Sequence, residues 1–158
     1  MKARRLFLAA IVIAATALPV ALAGAAETGA GETATAKAAK KTTTVRLQKS
    51  RYGRVLFDNR GGVLYLFTAD TGKTSNCYGD CAKAWPPFYA RGKLRGIDGV
   101  IRRKLGRTTR TDGRKQVTYA GHPLYYYVHD GRNQILCHDV FEFGGDWLVV
   151  RRSGKPAP

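Results

Sequence analysis

The chain has 158 residues, 44% of them hydrophobic, and its 27 lysines and arginines against 11 acidic residues give a net charge of +16. This length indicates one domain, and this apolar content excludes a wholly disordered chain. The positive charge predicts attraction to polyanions and says little about the fold.

The first residues have the composition of an export signal. Two arginines and a lysine precede an apolar run, and Ala21-Leu22-Ala23 fits a small-x-small cleavage site. We therefore predict a signal peptide over residues 1–23. An uncleaved anchor is the alternative, but the run is shorter than the ~20 residues of a spanning helix. The pair Arg4-Arg5 fits both twin-arginine and general-secretion export, and both routes stay open.

A flexible linker is predicted over residues 24–43, which are rich in Ala, Gly, Thr and Lys and contain no large apolar residue. The folded domain is expected from residue 44, because Val45 and Leu47 alternate with polar residues as in a strand. The domain is expected to end at residue 152. Residues 153–158 are then predicted to be a disordered tail.

The domain contains an internal repeat. The segment 53–70 aligns without gaps with 113–130, and the same offset places Cys77 on Cys137. Identical residues occupy six pairs of aligned positions: Gly53/Gly113, Arg54/Arg114, Gly61/Gly121, Leu64/Leu124, Tyr65/Tyr125 and Asp70/Asp130. Repetition at a fixed spacing indicates that each copy is one supersecondary unit, which buries its apolar face against the other.

Each copy has the pattern of a β-hairpin. In the first copy, apolar residues at 55–57 and 63–67 flank a turn-rich stretch. In the second copy, residues 117–119 and 124–128 do the same around a turn that contains glycine and proline. Both second strands are apolar or aromatic on both faces, so we expect them to lie centrally.

The remaining elements complete a mainly β prediction. A short helix is predicted at 79–85, an irregular connection at 91–112, and a final strand at 147–150. The predicted fold is mainly β, with two repeated antiparallel hairpin units, about 50–90 and 113–152, packed as one small domain. At most one or two short helices are expected.

Two Tyr-x-aromatic-x-x-Asp motifs stand at residues 65–70 and 125–130. Between them, Cys77-x-x-x-Cys81 precedes Trp85-Pro86-Pro87. Together these motifs resemble a bacterial family of secreted repeats of unknown function, whose members are often lipoproteins. The resemblance implies an envelope location and a β-rich fold, and it implies no established activity.

The motif residues are interpreted as structural: Tyr65, Phe67, Asp70, Tyr125, Tyr127 and Asp130. Buried tyrosines need hydrogen-bond partners, and a carboxylate at the end of a strand can provide them or close a turn. The alternative is a small polar ligand pocket, since Tyr125, Tyr127 and His129 share one face of a strand. A pattern that occurs twice favours architecture.

Three cysteines in an exported chain predict a disulfide, and three pairings are open. The family resemblance implies the local bond Cys77–Cys81, because these two cysteines stand together in the family pattern. Cys137 is then unpaired. Cys137 and His138 could serve redox or metal chemistry, but no spacing in the chain matches a recognised zinc motif. No metal site and no cofactor is therefore predicted.

The segment 91–115 carries ten cations against two acidic residues, whereas protein surfaces usually mix the two signs. The candidate binding residues are Arg102, Arg103, Lys104, Arg107 and Arg110. Aromatic residues do not alternate with these cations, so specific nucleic-acid binding is not predicted. Anionic wall polymers or lipid headgroups are the expected partners of an exported protein with this charge.

The sequence therefore predicts an exported, monomeric, non-enzymatic envelope or extracellular module that associates with anionic polymers. A redox- or metal-handling envelope protein is the second possibility. A hydrolase with a Tyr/Asp/His site is the third, although the sequence contains no Gly-x-Ser-x-Gly elbow and no phosphate loop.

Overall fold

A computed structural model describes residues 41–158, which form a mainly β domain as predicted. The strands in this range are β1 (Thr42–Ser50), β2 (Gly53–Asp58), β3 (Tyr65–Phe67), β4 (Lys93–Ile97), β5 (Leu105–Thr109), β6 (Lys115–Tyr119), β7 (His122–Pro123), β8 (Val140–Glu142) and β9 (Gly145–Val149). The described residues also contain one α-helix, α1 (Asp80–Ala84), where a short helix was predicted, and one 3₁₀ turn, Arg102–Lys104. The predicted signal peptide and residues 24–40 of the predicted linker lie outside this range.

Three small sheets have the strand orders β2-β1-β4, β3-β9-β8 and β5-β6-β7. In the first sheet, β1 is central, antiparallel to β2 and parallel to β4. No helix within residues 41–158 is long and apolar enough to cross a membrane.

The domain begins earlier than predicted. Thr43, assigned from sequence to the linker, is buried in β1 and pairs with Leu94 of β4. Its hydroxyl donates to the carbonyl of Arg91 at 2.8 Å. Residues 42 and 43 are both threonines, so the sequence contains no apolar signal for a strand here. The strand forms through backbone pairing with a distant segment, which requires no apolar side chain.

The segment 91–112, predicted to be an irregular connection, contains two strands. β4 runs parallel to β1, and β5 pairs with β6. Leu94 and Leu105 are half-buried against the core and anchor these strands. The prediction was wrong because glycine and arginine dominate the composition here, whereas the backbone hydrogen bonds and two leucines decide the structure.

Both predicted hairpins form, but only close to their turns. In the first copy, Leu64 N–H donates to the carbonyl of Leu56 at 3.0 Å, and in the second copy β6 pairs with β7. Each turn contains an equivalent glycine in the left-handed region, Gly61 with φ 89° and Gly121 with φ 91°. Glycine adopts this conformation without steric cost, so the repeat in sequence is also a repeat in backbone geometry.

The segment 124–128, predicted to be a strand, does not form a regular ladder. The N–H groups of Tyr126 and Val128 donate to carbonyls in the segment 84–86 at 2.9 and 3.0 Å. The facing Pro86-Pro87 pair has no N–H group to donate in return. Pairing on this side of the chain is therefore one-sided and too sparse for a strand.

The two copies exchange backbone pairing partners. Tyr65 and Tyr125 occupy equivalent positions, and each N–H donates to the carbonyl of the other at 2.9 and 3.0 Å. Two equivalent residues that pair with each other define a local two-fold axis. Strand β3 of the first copy pairs with β9 of the second, and Pro87, which follows the first motif, bridges Tyr125. Each copy thus completes the pairing of the other.

An aromatic stack lies at the junction of the copies. The rings of Phe67 and Trp147 are stacked at 4.1 Å between centroids, and those of Trp147 and Trp85 at 4.0 Å. Both indoles are fully buried. The Trp85 N–H donates to Oε2 of Glu142 at 2.8 Å, which satisfies the polar end of the ring. Trp85 follows α1 and Trp147 lies in β9, so this stack joins the two copies through their side chains.

Residues 153–158, predicted to be disordered, fold back onto the domain. The Ala157 N–H donates to the carbonyl of Val149 at 2.9 Å, and Val150 forms a bridge with Pro156. Ala157 is 7% exposed. The prediction was wrong because it relied on the absence of large apolar side chains, while a small alanine is enough to fill this position.

Candidate functional site

The motif residues are partners across the two copies. The Tyr65 hydroxyl donates to Oδ2 of Asp130 at 2.7 Å, and the Tyr125 hydroxyl donates to Oδ2 of Asp70 at 2.9 Å. Each tyrosine therefore uses the aspartate of the other motif. This reciprocal pair of bonds follows from the local two-fold axis between Tyr65 and Tyr125.

Each aspartate also closes a turn in its own copy. Oδ1 of Asp70 accepts the Asn76 N–H at 2.8 Å, and Oδ1 of Asp130 accepts the Leu136 N–H at 2.9 Å. Asn76 and Leu136 occupy aligned positions of the repeat. The carboxylates are thus engaged at both oxygens, which supports an architectural role for the motif.

The aromatic third position of each motif belongs to the core. Phe67 stacks on Trp147, whereas Tyr127 is half-buried and lies 4.7 Å from Trp85 between ring centroids. The predicted neighbour His129 is in edge contact with Tyr127 at 5.3 Å and is exposed. The structure therefore brings Tyr127 and His129 together at the surface, but it places Tyr125 in the interior.

Burial alters the acid–base properties of the motif. Burial raises the pKa of Asp70 from 3.8 to about 6, opposed by hydrogen bonds from Asn76 and Tyr125. Burial also raises the pKa of Asp130, where the Tyr65 hydroxyl opposes the shift. The pKa values of Tyr65 and Tyr125 rise as well, chiefly because their hydroxyls are buried. Both tyrosines therefore remain protonated hydrogen-bond donors.

The contribution of Asp70 to the free energy of unfolding is expected to fall as the pH rises from about 4 to about 6. Over this range the folded protein retains a proton on Asp70, whereas the unfolded chain has already released it, so acid favours the folded state. Asp70→Asn cannot titrate and should lack this dependence. Urea denaturation of both proteins across this range gives the difference, and a constant difference would show that the pKa of Asp70 is ordinary.

The cysteines adopt the arrangement that the family resemblance implied. Cys77 and Cys81 form a disulfide, with 5.2 Å between their Cα atoms, and Cys137 is a free thiol. A hydrogen bond with Cys137 raises the pKa of the Tyr127 hydroxyl. The disulfide ties the loop after the first motif to α1, and the aligned position in the second copy has no such bond.

His138 is engaged with the backbone. Its Nδ1 accepts the Val149 N–H at 3.2 Å, and its Nε2 lies 3.2 Å from the carbonyl oxygen of Pro158. Between residues 41 and 158, no group of three or more His, Cys, Asp or Glu side chains is placed to hold a metal ion.

Arg110, one of the five candidate binding cations, is buried and 4% exposed. Its guanidinium donates to Ser75 Oγ at 2.7 Å, to Gln116 Oε1 at 2.8 Å and to the Cys77 carbonyl at 2.5 Å, and it lies over the Tyr78 ring. Its assignment to an exposed binding surface is therefore wrong. The acceptors on Ser75 and Cys77 lie 35 and 33 residues away in the sequence, so a local charge pattern could not reveal them.

The other four candidate cations lie close together in the sequence. Arg102, Arg103 and Lys104 form the 3₁₀ turn, and Arg107 follows in β5. Arg102 and Arg103 are exposed, and none of the four forms an ion pair with any described residue. The ammonium of Lys104 donates to the Ser153 carbonyl, and the guanidinium of Arg107 donates to that of Gly92.

The chain end adds a fifth cation that the sequence did not reveal. Arg152 Nε donates to the Gly99 carbonyl at 2.9 Å, just before the 3₁₀ turn, and Tyr119 Oη donates to the Arg152 carbonyl at 2.8 Å. The nearby Asp98 carboxylate faces Arg46 at 3.3 Å. We call the following five residues the basic surface: Arg102, Arg103, Lys104, Arg107 and Arg152.

Comparison with known families agrees with the two-copy architecture. A family model described as a secreted repeat of unknown function matches residues 47–89 and 106–151, more than half of the chain. No curated protein and no solved structure matches. The two matched segments correspond to the two interlocked copies, and the family description places the protein outside the cytoplasm. The chain therefore belongs to this family of secreted repeats of unknown function.

Proposed function

We propose that this exported domain is a non-enzymatic module that associates with anionic polymers of the cell envelope through the basic surface. The observation that carries the proposal is a set of five cations in the 3₁₀ turn, in β5 and at Arg152, none of which forms an ion pair with a described residue. Positive potential that is not neutralised locally attracts polyanions.

The contacts of the basic surface favour binding because they position charge without cancelling it. Lys104, Arg107 and Arg152 donate to backbone carbonyls, which are neutral acceptors. Their side chains thus lose part of their conformational freedom in the free protein, and binding costs less entropy. Their net charge stays available to a ligand.

The motif geometry favours a non-enzymatic module over a hydrolase. The tyrosine hydroxyls and the aspartates of the two motifs are partners of each other, and the aspartates also accept turn amides. A catalytic base must reach a substrate proton. Here Asp70 and Asp130 are committed to internal donors, so the recognition surface is expected elsewhere.

Polymers are favoured over lipid headgroups. Stable binding to a membrane surface usually combines cations with apolar side chains that enter the interface. The exposed large apolar residues of the described chain are Val128, Leu136, Phe141 and Phe143, and none belongs to the basic surface.

The test compares two variants that lose the same charge. Arg102→Ser with Arg103→Ser removes two exposed cations of the basic surface, and Lys49→Ser with Lys73→Ser removes two exposed cations elsewhere. We expect the first variant to bind polyglutamate about 2- to 30-fold more weakly, from two contacts of ~0.2–1 kcal/mol each. The lysine variant should bind nearly as the parent does, and salt should weaken all binding.

Equal losses in the two variants would show that net charge, and not the basic surface, determines binding. Binding that survives about 1 M salt would contradict an electrostatic mechanism, since the Debye length is then only ~3 Å. Anionic vesicles provide the other comparison. Tighter binding to vesicles than to polyglutamate of matched charge would assign the surface to lipid headgroups instead.

A further inference from the structure

A pocket of about 240 Å³ opens beside the start of β1. Its lining comes from four segments of the chain: Thr42–Thr44, Asp58–Arg60, Pro87–Tyr89 with Arg91, and Tyr126. Pockets for drug-sized ligands occupy ~300–1,000 Å³. This pocket is smaller, and its size suits one unit of a polymer.

The charges of the lining favour a monovalent anion. Arg60 and Arg91 are exposed, and neither forms an ion pair with a described residue. The Asp58 carboxylate is already engaged, because it accepts the N–H groups of Arg60 and Gly62 and the Tyr126 hydroxyl at 2.7–2.9 Å. Two guanidinium groups against one carboxylate leave a net charge of +1. Arginine forks bind a carboxylate with two parallel hydrogen bonds.

The uncharged part of the lining suits a sugar ring. Phe88 and Tyr126 are in edge-to-face contact at 5.3 Å between centroids, and they provide apolar area. The polar residues Thr42–Thr44 and Asn59 also line the pocket, and the Thr43 hydroxyl there is bonded to the Arg91 backbone. Apolar rings beside a few polar groups are the usual composition of a small-molecule site.

The residues that line the pocket differ between the two copies, whereas the residues that build the fold are repeated. Asp58, Arg60 and Tyr126 align with Thr118, Ala120 and Leu66 in the other copy. By contrast, the tyrosines and aspartates of the two motifs are identical in both copies. The local two-fold axis therefore does not account for these residues of the pocket.

We propose that this pocket binds a single sugar unit that carries a carboxylate, with Arg60 and Arg91 contacting the acidic group and Phe88 and Tyr126 lying beside the ring. The inference rests on the proposed function, because it identifies the anionic polymer as a glycan that contains uronic acid. The basic surface contributes charge attraction, and the pocket selects the sugar.

The test is a titration of isotope-labelled protein with glucuronate, followed by amide chemical shifts. We expect saturable shifts at Thr43, Arg60 and Arg91, and binding weakened about tenfold or more by Arg60→Ser or Arg91→Ser, since hydrogen bonds between charged groups are strong. Lys73→Ser removes an exposed cation outside both the pocket and the basic surface, so it is the control and should leave glucuronate binding unchanged. Glucose and inorganic phosphate should each bind at least about tenfold more weakly.

Different results would contradict the sugar pocket and the binding of polymer by the basic surface. Shifts confined to the basic surface, or no saturable shifts, would overturn the sugar pocket, while polyglutamate binding by the Arg102 and Arg103 variants still decides the proposed function. Glucose that binds as well as glucuronate would overturn the acidic specificity. Phosphate that binds as well would reduce the pocket to a simple anion site and overturn the proposal.

Discussion

Trp147→Ala is expected to lower the free energy of unfolding by about 3–5 kcal/mol. Trp147 is fully buried, stacks on both Phe67 and Trp85, and meets the Tyr125 ring edge-on at 5.2 Å. The substitution removes these contacts and leaves a cavity where the two copies join. Small domains have a total stability of ~5–15 kcal/mol, so a large fraction of it depends on this side chain.

The measurement is urea denaturation followed by circular dichroism. Phe141→Ala is the matched control, because Phe141 belongs to the same β8–β9 hairpin but is 71% exposed. It should change the stability by no more than about 0.5 kcal/mol. If Trp147→Ala does not fold, Trp147→Phe replaces it in the test. This variant keeps an aromatic ring, so its free energy of unfolding should fall by a smaller amount. Equal effects of the Trp147 and Phe141 substitutions would contradict the central position of the stack.

Asp130→Ala is expected to lower the free energy of unfolding by about 1–3 kcal/mol. The change leaves two donors without their acceptor, the buried hydroxyl of Tyr65 and the N–H of Leu136. The cost comes chiefly from the buried Tyr65 hydroxyl, which loses its acceptor away from water, and not from the loss of a surface charge. Asp80→Ala is the control, because its ion pair with Lys83 is exposed and contributes little.

A double-mutant cycle locates the effect in the exchanged bond. Tyr65→Phe, Asp130→Ala and the combined variant are compared by urea denaturation. In the Asp130→Ala background, Tyr65→Phe should lower the free energy of unfolding by less than it does in the parent, because the hydroxyl no longer has its acceptor. Effects that simply add would mean that Tyr65 and Asp130 stabilise the protein independently, against the 2.7 Å contact between them.

Local patterns in the sequence predicted the repeat, the β-rich class, the helix and the hairpins. Such features depend on residues that are close together in the chain, and glycine turns or alternating side chains reveal them directly. The exchange of tyrosine and aspartate between the copies was not predicted. Both motifs have the same spacing. The sequence would therefore be the same whether each aspartate accepted a hydrogen bond from the tyrosine of its own motif or from that of the other motif.

The candidate site was only partly predictable, because some of its contacts join residues that are far apart in the sequence. A run of cations indicated residues 102–107, and Arg102 and Arg103 are exposed there. The pattern could not separate Arg110, whose acceptors Ser75 and Gln116 lie in other elements. Nor could it add Arg152, which backbone pairing of the chain end brings close to the 3₁₀ turn.

We propose that the motifs build the domain and that the basic surface binds the polymer. The most direct test measures polyglutamate binding and melting together for Asp130→Ala and for the Arg102→Ser, Arg103→Ser variant, at a temperature where both are folded. We expect Asp130→Ala to melt lower and bind as the parent does, and the arginine variant to melt as the parent does and bind more weakly. Loss of binding in folded Asp130→Ala, with binding intact in the arginine variant, would contradict the claim and assign recognition to the motifs.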